Sequence, residues 1–477
     1  MNRFIITIIL FTLFLPTVIS QGLNDAIQTF ANDASLKYGT SSVSIIDVES
    51  GKLLAGHNSK MGLTPASSMK VITTASALHF LGRDFKFKTE LQYDGSIDAD
   101  GTLNGNLYIK GSGDPTLGSH QFKSAETLDV VIGKFVKAIQ AAGIKKINGI
   151  IVGDASYFGT LVDGRKWLWE DIGNYYGAGA FGLCIQENMY FIDFQQVNSL
   201  GATPPIEKIR PYIPNLMMMN EVKSDKKGTG DQAYIFGTPY SYTRFVRGTI
   251  PVGNKIFTVK GAIPDPPFFA AQYLMKFLEK ENIQTNKMAT SFFEMQRTGV
   301  ANDATRNTIY TYESPTLDKI VKFTNEKSNN LYCEAMLRMI GKKEKGEGSA
   351  EAGLKAIYEF LENGGMNTDG FFMLDGSGLS PVNSVSSYNL AKAMQIFLTN
   401  KKIAGDLKSS IRVSSRIGNG QLRAKSGSME RVRSYTGFAT TKSGRLVSFS
   451  IIANNFMGKS SEIRRKMEKL MLAIYSN

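Results

Sequence analysis

Two cysteines and three histidines in 477 residues leave little material for metal or redox chemistry. His57, His79 and His120 share no ligand spacing with one another or with Cys184 and Cys333, so no metal site and no cofactor are expected. The cysteines permit a disulfide in an oxidising compartment without requiring one, and two separately buried thiols are the expectation. A Gly-x-Ser-x-Gly elbow is absent, although a Ser-His-Asp triad needs only one well-placed histidine. Lys/Arg tracts with interleaved aromatics are also lacking: 55 basic residues against 42 acidic ones give +13, but the charges are dispersed. That argues against a nucleic-acid partner and for bulk charge suited to anionic surfaces, peripheral membrane contact included. There is no internal repeat and no long low-complexity tract.

What is present is an ordinary globular composition, 42% hydrophobic and 20% charged with 46 glycines, which excludes a collagen, a disulfide mini-protein and a disordered tail. At ~150 residues per domain the length suggests about three domains. Met1–Ser20 carries one charge, Arg3, then an apolar stretch from Phe4 to Ile19 that ends in small or apolar residues before Gln21. This reads as a secretory signal peptide; Pro16 and the polar Gln21-Gly22 exit argue against an uncleaved anchor. Its removal takes the net charge from +13 to +12 and leaves no further run of ~18 apolar residues, so the mature chain is expected to be periplasmic or otherwise exported.

The periodicity predicts a helix over Leu23–Lys37, a strand over Val43–Val48 returning through Leu53–Ala55, and a helix over Ser67–Leu81 that is apolar on most faces. From Phe85 to Gly111 apolar and polar residues alternate around two Asp-Gly turns, which predicts an antiparallel meander. A helix over Leu128–Ala142, a strand over Ile147–Val152 and a Gly- and Pro-punctuated region up to Gly261 follow, with Ser224–Asp231 as the clearest flexible loop. Helices are predicted over Phe268–Lys280 and over Leu317–Met339, the latter broken near Ser328. Strands over Gly420–Ser426, Tyr435–Thr440 and Leu446–Asn454 and a closing helix with Ile463, Met467, Leu470, Met471 and Ile474 on one face complete an antiparallel sheet covered by the first and last helices.

Three short patterns carry the chemistry: Ser67-x-x-Lys70, Ser328-Asn-Asn330 and Lys425-Ser-Gly427. Each recurs elsewhere, at Ser224–Lys227, Ser387–Asn389 and Lys442–Gly444, so local context must choose. A nucleophile and its base three residues apart share a helix face, and on a buried helix Lys70 is desolvated, which lowers its pKa and lets it take the Ser67 proton. Ser224 falls in a charged loop, and Lys442-Ser-Gly444 falls between two strands as a hairpin turn. Taken singly, Ser67 is an N-cap, Lys70 a surface lysine and Ser328 with Asn330 a polar helix break. Their joint order favours catalysis.

The three motifs resemble those of the serine penicillin-recognising enzymes. The gap from Ser67 to Ser328 is more than twice that from Ser328 to Lys425, which places a domain-sized insert directly behind the nucleophile's helix. That spacing, with Leu107-Tyr-Ile-Lys-Gly-Ser-Gly-Asp-Pro-Thr-Leu117, Gly153-Asp-Ala-Ser-Tyr-Phe158, Asp375-Gly-Ser-Gly-Leu-Ser380 and Leu422-Arg-Ala-Lys-Ser-Gly-Ser428, is similar to the D-alanyl-D-alanine carboxypeptidase/endopeptidase family, the class C low-molecular-mass penicillin-binding proteins. Two departures are visible: Asn329 stands where the family has Asp, and Ser426 where it has Thr.

The resemblance implies an α/β (α+β) architecture: a serine β-lactamase/transpeptidase-like domain, its antiparallel sheet flanked by helices, from residues 21–82 and 262–477, with a β-rich insert of two subdomains over 83–261. It implies Ser67 as nucleophile, Lys70 as base and Ser328 as proton relay. Asn330 would hold the substrate amide, Lys425 and Ser426 of the Lys425-Ser426-Gly427 strand the terminal carboxylate, and the backbone N–H groups of Ser67 and Ser428 the oxyanion. The partners implied are peptidoglycan stem peptides, with β-lactams as covalent inhibitors. Trp167–Tyr175 is similar to a family segment that contacts the amino group of the stem peptide's diamino acid, with Asp171, or Glu170 beside it, as the contact. In the bland alternative the tryptophans pack and the acids face solvent. Asp114 reads as a turn residue before Pro115.

Two competing classes remain. A β-lactamase or esterase needs a device to activate deacylating water, and Glu359-Phe-Leu-Glu-Asn363 is only superficially such a segment, placed at a helix end. A non-catalytic cell-wall binder has no need to keep a nucleophile beside a base.

Overall fold

The computed structural model describes residues 21–301, 304–412 and 420–477; the expected signal segment, 1–20, lies outside the described residues. A five-stranded antiparallel sheet runs in the spatial order Leu53–His57, Thr40–Asp47, Leu446–Asn454, Val432–Thr440, Leu422–Met429. The period of two along a strand sorts its side chains to two different layers. Val43, Ile45, Val447, Phe449 and Ile451 form one core with Leu23, Ile27 and Phe30 of the first helix, Gln21–Ala31, and with Ile463, Met467, Leu470, Met471 and Ile474 of the last, Ser460–Ser476. The opposite face is lined with serines. Ser42 and Ser44 lie 2.6 and 2.7 Å from Ser387 Oγ, and Ser448 donates to Ala391 O at 2.8 Å. Small hydroxyl side chains let the helix Ser387–Thr399 sit close to the sheet while Ser42, Ser44, Ser387 and Ser448 stay hydrogen-bonded. Behind it, Lys70–Leu81, Leu317–Lys327 and Asn330–Lys345 share a second apolar core.

The inserted region departs from the expected layout in four places. The meander over Phe85–Gly111 is two nested hairpins in two different sheets: Lys88–Tyr93 pairs with Leu107–Gly111, and Ser96–Ile97 with Thr102–Asn104. The Asp94 carboxylate closes the outer pair by accepting from Asn106 N and, at 2.7 Å, from Tyr108 OH. The strand expected over Ile147–Val152 breaks at Gly149 into Lys146–Ile147 and Ile151–Asp154, which extend the two sheets in parallel. Ser224 is not in a solvated loop; it is buried on the strand Lys223–Asp225, which pairs with Thr243–Pro251.

The fourth departure is the border. The segment after residue 262, expected to rejoin the first unit, packs on the insert instead. Phe269, Leu274 and Leu278 of the helix Pro266–Lys280 join one apolar cluster with Val131, Phe135 and Ile139 of the helix Leu128–Ala141. Three further strands close the insert's sheets: Gln284–Thr285 on Lys146–Ile147, Ala289–Ser291 on Ile151–Asp154, and Asn307–Glu313 on Lys88–Tyr93. These pairings link residues more than 130 positions apart and carry no local signature. The chain re-enters the helical core at Leu317, two residues after Pro315.

Candidate active site

Ser67 sits in a short 3₁₀ turn, Ala66–Met69, that precedes the helix Lys70–Leu81. In that geometry residues i and i+3 eclipse, which stacks Lys70 over Ser67 more directly than the continuous α-helix expected from the sequence. Ala66 enters the turn at φ 48°, a left-handed conformation that a residue with a Cβ adopts only under constraint. The constraint comes from both sides. Gly378, at φ +75°, leaves the space at Ala66 O that a Cβ would fill, and a Cβ on Gly427 would fall 2.5 Å from Pro65 O and 2.7 Å from Ser68 N. The edge strand Leu422–Met429 therefore lies directly against the turn, which is the physical reason for glycine after Lys425-Ser426. Ser67 does not cap a helix, so its hydroxyl is not spent on the backbone.

Lys70 is fully buried, and its Nζ donates to three neutral acceptors: Ser67 Oγ at 2.9 Å, Asn330 Oδ1 at 2.6 Å and Ser377 O at 2.6 Å. Burial pulls its pKa below the usual lysine range, against the opposing fields of Cys333, Asp375 and Glu334. Ser328 ends the helix Leu317–Lys327 in a left-handed conformation, φ 59° and ψ 37°, and Lys425 Nζ donates to its Oγ at 2.9 Å. Asn329 caps the next helix by accepting from Tyr332 N at 3.2 Å, so the residue that departs from the family pattern serves the N-cap that Asp would serve. Asn330 then projects from the first position of that helix, bonded by its Nδ2 to Tyr176 O at 2.8 Å. Lys425 is buried and its pKa is lowered to about 7, by desolvation first and then by the Lys70 charge. Its second contact is Ser426 O at 2.9 Å.

Ser67, Ser328, Asn330, Ser428 and Asp171 line a single cleft of ≈ 460 Å³, with Glu170, Tyr176, Tyr234 and Glu430 also on its wall. Lys70 lies beneath Ser67, and Lys425 beside Ser328. Asp171 accepts from Tyr176 OH at 3.0 Å, and its pKa is raised, by burial before the neighbouring Glu170 charge. The two tryptophans divide: Trp167 is buried, Trp169 is not. The rejected copies are structural. Ser387 and Asn389 are buried in hydrogen bonds to Ser42 and Ser386, and Lys442–Gly444 is the turn after Thr440. Asp114 accepts from Thr116 N at 2.8 Å as a turn residue should. Both cysteines are free and buried, and burial pushes each thiol up to about 12. Among the described residues no group of three or more His, Cys, Asp or Glu is placed to hold a metal.

Sequence reasoning noticed Asp375–Ser380 without giving it a task. The Asp375 carboxylate accepts from Gly378 N at 2.8 Å, Ser380 N at 2.7 Å, Asn383 Nδ2 at 2.9 Å and Trp167 Nε1 at 2.8 Å. Glu334, one helical turn after Asn330, accepts from Gly376 N at 3.1 Å and Ser377 N at 2.8 Å. Two buried carboxylates thus hold the loop whose Ser377 carbonyl receives Lys70. The Asp-Gly-Ser-Gly string was the available signal; the partner Glu334 left none.

The sheet, its helices and the paired serine and lysine define the serine β-lactamase/transpeptidase-like class. The chain matches the D-Ala-D-Ala carboxypeptidase 3 (S13) family over residues 23–474. It is 26% identical over 461 residues to a D-alanyl-D-alanine carboxypeptidase of Actinomadura sp. (strain R39), covering 91% of this chain and 81% of that protein. It is 22% identical over 471 residues to the D-alanyl-D-alanine carboxypeptidase DacB of Haemophilus influenzae, covering 96% and 93%. The crystal structure of penicillin binding protein 4 (dacB) from Haemophilus influenzae superposes with a TM-score of 0.79 at 21% identity, covering 95% of this chain and 99% of that one. The chain belongs to the D-Ala-D-Ala carboxypeptidase 3 (S13) family, and it is a hydrolase of the serine-type carboxypeptidase class.

Glu334 supplies a test of this floor. Burial, and next the Asp375 charge, raise its pKa above the ordinary carboxylate value, so the folded state holds its proton at a pH where the unfolded chain has released it. Its contribution to stability is present below the ordinary Glu pKa and is lost as pH rises through the raised value, about 1.4 kcal/mol for each unit of displacement. Glu334→Gln keeps the shape without the charge, so its urea midpoint should gain on wild type as pH rises from about 4.3 towards neutrality. A pH-independent gap between the two proteins contradicts the assignment.

Proposed function

We propose that this chain is an exported serine peptidase that hydrolyses D-Ala-D-Ala bonds of peptidoglycan stem peptides, trimming their ends or cutting cross-links, through an acyl-enzyme on Ser67. The observation that carries the reading is the 2.9 Å contact between Ser67 Oγ and the buried Lys70 Nζ. Desolvation favours the neutral amine, which takes the Ser67 proton as Oγ adds to the substrate carbonyl. The Ser67 and Ser428 N–H groups stabilise the developing oxyanion, an effect worth about 3 kcal/mol per donor. Ser328 passes the proton to the leaving amine, and water then releases the acyl group with Lys70 again as base. Asn330 holds the substrate amide. Lys425 with Ser426 receives the terminal carboxylate, and Asp171 the amine of the diamino side chain, whose positive charge would restore the ionised carboxylate that burial disfavours.

The catalytic unit in this reading runs from Gln21 to Asp84 and resumes at Ser314. Export rests on the apolar Met1–Ser20 segment; among the described residues no helix is long and apolar enough to cross a membrane. A β-lactam acylates the same serine. Glu359 of the Glu359–Asn363 stretch is on a helix surface and bonded to Lys345 at 2.6 Å, away from the role of activating a deacylating water, which supports slow release of the adduct.

Incubation with benzylpenicillin should add one drug mass to the intact protein, and Ser67→Ala should stay unmodified. A folded wild-type protein that gains no mass and leaves the drug intact would favour a non-catalytic wall binder, and rapid multiple turnover of the drug a β-lactamase.

The Lys425 pKa of about 7 adds a pH signature. Carboxylate binding needs the charged amine, so kcat/KM for a free-carboxyl D-Ala-D-Ala peptide should fall as pH rises through about 7, through KM more than kcat. Lys425→Arg, charged throughout, should lose that limb even at reduced activity. Retention of the limb would assign it to another group.

A further inference from the structure

Beside the cleft the chain holds three aromatic side chains open to solvent in a way that packing does not require. Trp169 is 53% exposed, Tyr175 43% and Tyr234 38%, and Leu168 beside them is 44% exposed. The chain has only two tryptophans, and the other is buried and bonded to Asp375. Among the described residues, the Trp169 indole N–H and the Tyr175 and Tyr234 hydroxyls have no hydrogen-bond partner, while the Tyr175 ring meets Lys260 Nζ at 5.3 Å and Tyr176 edge-on at 5.5 Å.

The ledge is rigid. Asn174 ties the segment to the strand Gln232–Phe236 by donating to Glu170 O at 2.5 Å and accepting from Ile235 N at 3.1 Å, and Ala262 N donates to Gly173 O at 2.9 Å. Trp169 leans on Phe236, with ring centroids 6.3 Å apart. Tyr234 and Leu168 also line the cleft, so the ledge continues the site rather than standing apart from it. Anchoring the backbone and the Trp169 indole in advance lowers the entropic cost of binding, as in a recognition surface.

We infer that Trp169, Tyr175 and Tyr234 form a platform for the glycan strand that bears the stem peptide, with pyranose C–H faces on the rings and sugar hydroxyl or acetamido groups on the free indole N–H and phenols. The chemistry matches: an amphipathic ring with a polar edge suits a ligand that is apolar on its faces and polar around its rim. The inference rests on the proposed peptidoglycan reading and names a second part of the same substrate. Continuity with the cleft commits the ledge to substrate rather than to a bilayer or a partner protein.

Two measurements test it. A peptide-free tetrasaccharide of alternating N-acetylglucosamine and N-acetylmuramic acid, titrated into Ser67→Ala protein, should bind saturably by calorimetry, and Trp169→Ala in that background should weaken binding about tenfold, with Trp169→Phe recovering part of it. With active protein, the ratio of kcat/KM for a disaccharide-linked pentapeptide to that for the free pentapeptide should exceed one and fall towards one in Trp169→Ala, through KM, with free-peptide turnover unchanged. No saccharide binding, an unchanged ratio, or equal loss on both substrates overturns the inference. Binding of Trp169 to anionic vesicles in place of the saccharide overturns it in favour of a membrane contact. Saccharide binding without turnover of either peptide would uphold the platform while the acyl-enzyme reading fails.

Discussion

A lysine amine buried without a carboxylate partner is the constraint on which the rest of this site depends. Removing an ammonium from water costs several kcal/mol, and a close carboxylate would offset the cost but keep the lysine protonated. Here, among the described residues, Lys70 makes no ion pair; its three contacts are a hydroxyl, an amide oxygen and a backbone carbonyl. Such acceptors orient the group without fixing its charge. The acidic residues nearby, Glu334 and Asp375, are turned instead onto backbone N–H groups of the loop Asp375–Ser380. Their hydrogen bonds shape the receiving carbonyl, one step removed from the amine itself.

The second lysine follows from the first. Lys425 is also buried, and the Lys70 charge adds to desolvation in lowering its pKa to about 7. Two ammonium groups in one dry site repel, so charge on either lysine disfavours charge on the other. Ser328 is held by Lys425 on one side and opens on the cleft on the other.

Much of this was legible because it is local. Ser67 and Lys70 share a face by helical period, the break at Ser328 shows as lost periodicity, and the edge strand with Lys425 shows as alternation before a hairpin. The two terminal helices also follow from period alone, whereas the serine-lined sheet face shows only in the packing. What the sequence did not disclose depends on distant pairing. The border expected at residue 262 is displaced because the strand Asn307–Glu313 finds its partner at Lys88–Tyr93, across the whole insert. Ser224 looked solvated because its neighbours are charged, yet its strand is covered by the loop at Ala202, whose carbonyl accepts from Ser224 N. The strain at Ala66 needs Gly378 and Gly427 pressed against it, and neither contact is written within a few residues of the turn.

The insert is more than a spacer placed behind the nucleophile's helix. One of its segments, Trp167–Tyr176, fixes two parts of the site floor at once: Trp167 donates to Asp375, which shapes the loop that receives Lys70, and the Tyr176 carbonyl receives Asn330, which also contacts Lys70. The same stretch supplies Asp171 to the cleft wall. The residues before Asp84 and after Ser314 therefore do not complete this site by themselves, because two supports of the buried lysine come from a segment of the insert that is also bonded to Ile235 and Ala262. Sequence identity within the three short motifs would survive loss of that segment; the geometry that gives those motifs their chemistry would not.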